Sequence, residues 1–288
     1  MKFLCITLTL FYFCSSSWAS VRLVVASDNW CPYICDDQQS PGYIVEIVRD
    51  IFHQNNISLK FETLPLARAM QFVANNQTDM VLGLTEEQII EHKLSKSQLS
   101  VGRPTLDFFV INGNPWRYTS NTELIKHLAD DKKIGIIKGY SYGEFFNNLI
   151  ESRPKYFYVS HGNTPLDTNL NLLNAGRIDI IIDNKYTVLF SAQSSVQSSA
   201  QSSAQSSAQS SAQSSAQSSA QSSAQSELIK NLVHAGTEGE GGGIYVGFAP
   251  HLSTDYINML DQGIIEYRKS GRLKVLLNKY GITDWKKD

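Results

Sequence analysis

The chain has 288 residues and sets 25 Lys and Arg against 27 Asp and Glu, a formal net charge of −2. That balance excludes the clustered basic face of a nucleic-acid binder, and Lys132-Lys133 and Lys286-Lys287 read as solvated surface. Apolar content is ordinary at 42 %, and with a leader and a low-complexity tract set aside roughly 230 residues remain, enough for two modest lobes.

Met1 to Ala19 reads as a secretory signal peptide. Lys2 is its positive start, Phe3 to Phe13 an apolar run too short to span a bilayer, and Ser17-Trp18-Ala19 the cleavage region. The mature chain is expected to begin at Ser20, soluble and in the periplasm. Phe13 stands before Cys14 where a lipoprotein signal would have a small residue. Cys5 and Cys14 leave with the signal, so Cys31 and Cys35 remain in an oxidising compartment. One C-x-x-x-C without His or a second Cys pair is weak for zinc. A local disulfide around Pro32-Tyr33-Ile34 is the reading adopted, with no metal and no cofactor.

Leu23 to Ala26 is a short apolar run that predicts a buried strand. Asp28, Trp30 and Tyr33 follow at its carboxyl end, where ligands sit in open α/β sheets. Pro41-Gly42 is a turn, and Tyr43 to His53 an amphipathic helix. A strand over Ser58 to Glu62, a turn at Leu64-Pro65-Leu66, a helix over Ala67 to Asn75 and a strand over Asp79 to Gly83 come next. Phe108 to Ile111 is another strand, and Asn112-Gly113-Asn114-Pro115 a candidate hinge.

The pattern then restarts. Thr122 to Leu128 is a predicted helix capped by Asn121 or Thr122, Lys133 to Ile137 a strand, Gly139 to Gly143 a glycine-containing loop and Glu144 to Ile150 a helix. Tyr156 to Val159 is a strand, Asp167 to Ala175 a helix closed by Gly176, and Asp179 to Asp183 a buried strand. Strands alternating with helices imply parallel sheets with crossover helices.

Ser191 to Ser226 is an AQSS array with Val196 as its one variant. Without large apolar residues it adds nothing to a core, and it reads as an expansion in a surface connection, helical or flexible. Beyond it, Glu227 to His234 predicts a short helix and Gly236 to Gly243 a glycine-rich loop. That loop precedes a strand, Ile244 to Phe248, so it is no phosphate cradle. Helices over Thr254 to Lys269 and Leu273 to Tyr280 complete the chain, with Trp285 as an anchor.

Seven stretches in this order carry a resemblance: LVVASDNWCPY, PGYIVEIVRDIF, TDMVLGLTEEQ, IGIIKGYSYG, GRIDIIIDN, IYVGFAP and LDQGIIEYRKSGRLKVLLNKYG. From Val21 to Trp285, with the array excised, the chain resembles the bacterial extracellular solute-binding proteins of the polar amino acid type. The resemblance implies the α/β, two-lobed type II periplasmic binding fold, with a hinge and a ligand cleft between the lobes. It places lobe 1 at residues 20–111 and 245–288, and lobe 2 at 112–244 interrupted by the repeat at 191–226. It implies crossings near Ile111 to Pro115 and near Gly243 to Phe248.

The resemblance also implies a site. Trp30 would be its aromatic wall, with Asp28 and Tyr33 beside it, and Gly83 and Thr85 would offer a carbonyl and a hydroxyl. Amino acid binders of this type carry an arginine three residues after that threonine, to grip the α-carboxylate; this chain has Gln88. The aspartate for the α-amino group falls at Asn184, with Asp183 adjacent. Both ends of the amino acid clamp are weakened, so substitute cations are sought in Arg68 and Lys138, with Arg103 a further candidate. Ser141 and Tyr142 begin a helix whose N–H groups would suit an anion. The expected ligand is therefore a small polar or anionic solute.

Three functions remain open. One is a monomeric solute receptor for a membrane permease or a sensor, another an enzyme of the dehydratase type on the same fold, and the third an interaction protein using the array as a spacer. No serine elbow or H-E-x-x-H motif supports catalysis. His53, His92, His127, His161, His234 and His251 are scattered.

Overall fold

A computed structural model describes residues 21–191, 231–239 and 241–285. The expected signal peptide and most of the AQSS array lie outside the described residues.

The first sheet starts with β1 (Val21–Ser27), whose last three residues are buried. It pairs in parallel with β2 (Ile57–Thr63), from Val21 opposite Ile57 to Ser27 opposite Thr63. The crossover is α1 (Tyr43–Gln54), which buries Tyr43, Ile44, Ile47, Val48, Ile51 and Phe52. Their three- and four-residue spacing puts them on one helix face, and full burial of each such side chain contributes about 1.5–3 kcal/mol. α2 (Leu66–Ala74) starts directly after Pro65 and leads to β3 (Met80–Thr85), which is parallel to β1. Then come α3 (Glu86–Glu91) and the two-residue β4 (Ser95–Lys96).

The second sheet contains β5 (Leu106–Ile111), β6 (Ile134–Ile137), β7 (Phe157–Ser160), β8 (Ile180–Asp183) and β9 (Leu232–Glu238), in the order β7-β6-β8-β5-β9. Its helices are α4 (Asn121–Leu128), α5 (Gly143–Ser152) and α6 (Pro165–Asn174), and residues 185–191 are also helical. The chain then returns as β10 (Ile244–Phe248), antiparallel between β3 and β4, so the first sheet reads β2-β1-β3-β10-β4. α7 (Thr254–Lys269) and α8 (Arg272–Lys279) pack back on the first lobe, and the Asp261 carboxylate on α7 accepts from the Gln98 and Leu99 amides at 3.0 Å each. Each lobe has its own core: Phe52, Tyr43, Met80 and Phe248 in the first, and Phe108, Phe146, Leu124 and Ile180 in the second. No helix among the described residues is long and apolar enough to cross a membrane.

Several expectations are corrected. Leu106–Ile111 belongs to the second lobe, not the first, because it pairs with β8 and β9. The outward crossing therefore precedes it; an apolar six-residue strand carries no mark of which sheet it will join. Residues 232–234 are strand rather than helix, since pairing with β5 supplies hydrogen bonds that outrank local preference. Gly236 lies in that strand, not in a loop: it has φ 137° beside a register shift, and a Cβ there would come 2.9 Å from the Tyr118 carbonyl oxygen. The α4 cap is Ser120, whose hydroxyl accepts from the Glu123 amide at 3.3 Å.

Candidate functional site

The carboxyl ends of β1, β3, β6 and β8 meet between the lobes around a cleft of about 540 Å³. Asp28 and Trp30 reach it from the end of β1, Gly83 and Thr85 from β3, Tyr140, Ser141 and Tyr142 from the loop after β6, and Asp183 from β8.

The Trp30 loop is built tightly. The Trp30 amide donates to the Ile34 carbonyl at 2.7 Å, and Cys31 and Cys35 are joined as a disulfide with Cα atoms 4.9 Å apart. The Cys31–Pro32 peptide is cis. Tyr33 stacks on Trp30 with ring centres 4.2 Å apart and planes at 12°. Gly83 has φ 76°, and a Cβ there would meet the Ile34 side chain at 3.3 Å and the Trp30 ring at 3.5 Å. A glycine at this point lets the strand backbone lie close to the indole.

Several side chains join the lobes. The Tyr140 hydroxyl donates to Asp28 Oδ2 at 2.6 Å, and Gln88 Nε2 donates to the Gly139 carbonyl at 2.6 Å. Ser141 Oγ and Asn147 Nδ2 donate to Glu87 Oε2 at 2.8 and 3.0 Å. Tyr33 donates to Asn184 Oδ1 at 3.0 Å.

Two carboxyls stand at the base. Asp183 is buried; desolvation lifts its pKa to about 7, with the nearby Asp28 and Asp107 charges adding to the rise and the Asn184 amide opposing it. Desolvation lifts Asp28 to about 6 against the pull of the Tyr140 hydroxyl. Asp183 Oδ1 accepts from the Asn184 amide at 2.6 Å, whereas Asp183 Oδ2 and Trp30 Nε1 are buried with no hydrogen-bond partner among the described residues. A buried orphan of this kind costs about 1–3 kcal/mol.

Of the residues expected at the site, Asp28, Trp30, Gly83, Thr85, Gln88, Ser141, Tyr142 and Asp183 line the cleft. Tyr33 does not line it; it is buried behind Trp30 as a support. Gln88 is already committed. Its Oε1 accepts from the Thr85 amide at 2.9 Å in a capping box, and its Nε2 serves Gly139. Thr85 likewise spends its hydroxyl capping α3.

The expected cations are misplaced. Arg68 is exposed on α2 and outside the cleft. Lys138 borders a separate pocket of about 60 Å³ that shares Asp28 and Tyr140. Arg103 lines a third pocket, near Trp285. The N-terminus of α5 already faces the Glu87 carboxylate through Ser141 and Asn147, and the Tyr142 amide donates to Asn147 Oδ1 at 3.0 Å. No Lys or Arg is among the described residues lining the cleft, which include the carboxylates Asp28, Glu86, Glu87, Asp183 and Glu238. The expectation of an anionic ligand is therefore withdrawn, because no described residue of the lining carries a positive charge to balance it.

Tyr140, Thr105 and Glu238 were not singled out from the sequence. Tyr140 had one legible signal, an aromatic between two glycines just past a strand end. Thr105 and Glu238 reach the cleft only because β5 and β9 pair with each other.

No protein-family model matches the chain, and no curated protein sequence does. Solved structures match in fold. A histidine kinase sensor domain with similarity to periplasmic binding proteins aligns over 90 % of this chain and 95 % of its own, at 16 % identity and TM-score 0.62. An ancestral amino-acid-binding protein, a precursor of cyclohexadienyl dehydratase, aligns over 90 % and 95 % at 14 % identity and TM-score 0.63. A putative L-cystine ABC transporter from Listeria monocytogenes aligns over 93 % and 100 % at 17 % identity and TM-score 0.63. The chain has the two-lobed fold of periplasmic binding proteins.

Proposed function

We propose that the chain is a periplasmic solute-binding protein that captures a small polar solute between its lobes and delivers it to a membrane transporter. The observation that carries this is the cleft itself. It lies at the carboxyl ends of strands from both sheets, where such folds bind ligands, and its polar groups converge from both lobes. Asp28, Trp30, Gly83, Ser141, Tyr142 and Asp183 are the proposed contacts. The fold it shares with proteins named as transporter components supports the assignment.

A thermal-shift and calorimetric screen of amino acids, amines, organic acids, sugars and short peptides tests it. A receptor gains stability with the logarithm of ligand concentration over Kd, about 2.7 kcal/mol at a hundredfold excess, and returns the solute unchanged. Silence from the whole panel refutes the reading, and consumption of the solute refutes the binder in favour of the dehydratase-type enzyme. Uptake of the labelled solute, lost when the chain is deleted from cells, separates transport from sensing; a sensor would change signalling output and leave uptake intact.

A further inference from the structure

Resting on that reading, we infer that the cleft selects an organic ammonium ion without a free carboxylate, held by Asp183 and Asp28 beside the rings of Trp30 and Tyr140.

Asp183 makes the first argument. One oxygen takes the Asn184 amide; the other is buried with no hydrogen-bond partner among the described residues, on a side chain that lines a solute-sized cleft. A buried carboxylate oxygen is satisfied by a donor, and best by one carrying positive charge. The neighbouring side chain does not provide it: Asn184 Nδ2 is given to Thr105 at 3.1 Å, and its Oδ1 accepts from Tyr33 and from the Tyr186 amide.

The lining makes the second. At the base Asp28 takes a neutral hydroxyl donor from Tyr140, and no Lys or Arg lines the cleft among the described residues. Nearer the mouth Glu86 is paired with Lys96 at 3.4 Å and Glu87 with the start of α5. A free carboxylate would enter a field of like charge, while an ammonium would offset it.

The aromatic corner makes the third. Trp30 and Tyr140 meet nearly edge to face, with centres 6.3 Å apart and planes at 70°. With Tyr33 stacked on Trp30, the corner presents ring faces and edges beside two carboxyls, the setting in which cations are attracted to aromatic rings. The Trp30 N–H, which has no partner among the described residues, calls for an acceptor elsewhere in the solute. The second polar group is thus a neutral oxygen, of an amide or hydroxyl, rather than an acid.

The test uses the full chain and two matched series: lysine, lysinamide and cadaverine; arginine, argininamide and agmatine. Calorimetry at pH 8 reads each, within a wider panel that includes sugars and dicarboxylates. The amides are expected to bind most tightly, the plain amines next, and the free amino acids at least tenfold more weakly. Asp183→Asn is expected to lower amide affinity a hundredfold or more with an unchanged circular dichroism spectrum, and Trp30→Phe about tenfold. Amino acids that bind as tightly as their amides overturn the inference, as does binding of sugars or dicarboxylates with the amines silent; either result leaves the solute-binding reading intact. Silence from every solute overturns both.

Discussion

Replacing Asp183 by asparagine should stabilise the solute-free protein at alkaline pH and do much less at acidic pH. The folded carboxyl titrates at about 7, against an ordinary value of 3.8, chiefly because burial penalises its charge. Between those values the folded state keeps a proton that the unfolded chain has released, so stability falls as pH rises and levels off above about pH 7. From pH 5 to pH 8 the drop is about two pKa units, or roughly 3 kcal/mol at ~1.4 kcal/mol per unit. The replacement amide cannot ionise and escapes this drop, while its oxygen still accepts from the Asn184 amide that now lies 2.6 Å from Asp183 Oδ1. Urea unfolding of both proteins at pH 5 and pH 8 reads the difference. With slopes of ~1–3 kcal/mol/M, the gap between midpoints should widen by about 1 M or more at pH 8. The same gap at both pH values would refute the claim that a buried charge sits at this position.

Other consequences are as direct. Affinity for an ammonium solute should weaken as pH falls through about 7 and then about 6, because protons compete with the solute for Asp183 and Asp28 while Tyr140, Tyr142 and Asp107 around them offer no positive charge; calorimetry at pH 8 and 5.5 giving equal Kd would contradict this. Tyr140→Phe removes the 2.6 Å bond to Asp28, a charged hydrogen bond of ~1.5–3 kcal/mol, so solute affinity should fall roughly tenfold or more. Unchanged affinity would mean that the bond does not help hold the lobes together. Gly42→Ala places a Cβ 2.5 Å from the Tyr33 carbonyl oxygen at φ 91°. It should cost more than ~1 kcal/mol and lower the melting temperature, and a neutral result would mean that the Trp30 loop tolerates displacement.

The two-lobed fold was legible because its helices and strands carry strong periodicity. The Tyr43 helix and the Leu23 strand show their buried faces in the residues themselves. Much of the cleft was legible too, since Asp28, Trp30, Thr85 and Asp183 directly follow or end apolar strands. What escaped was set by pairing at a distance. Leu106–Ile111 joins the second sheet through partners more than 70 residues away in β8 and still farther in β9. Arg68 illustrates a different limit: the helix phase that buries Leu66, Ala69 and Met70 turns Arg68 outward. Gln88 shows a third, because a missing arginine signals what is not bound but not that the amide has become a tie between lobes.

The order of the first sheet also governs how the molecule is made. β10 lies inside that sheet, between β3 and β4, although it comes near the end of the chain. The second lobe has the five strands of its sheet seen among the described residues once Glu238 has emerged, whereas the first cannot close until some ten residues later. During synthesis the finished lobe thus waits beside a partner whose β3 edge is bare, with open N–H and C=O groups ready to pair with another chain. A nick or premature stop before Ile244 would leave a well-formed half-molecule attached to an adhesive one, so quality control of this protein falls on its last 45 residues.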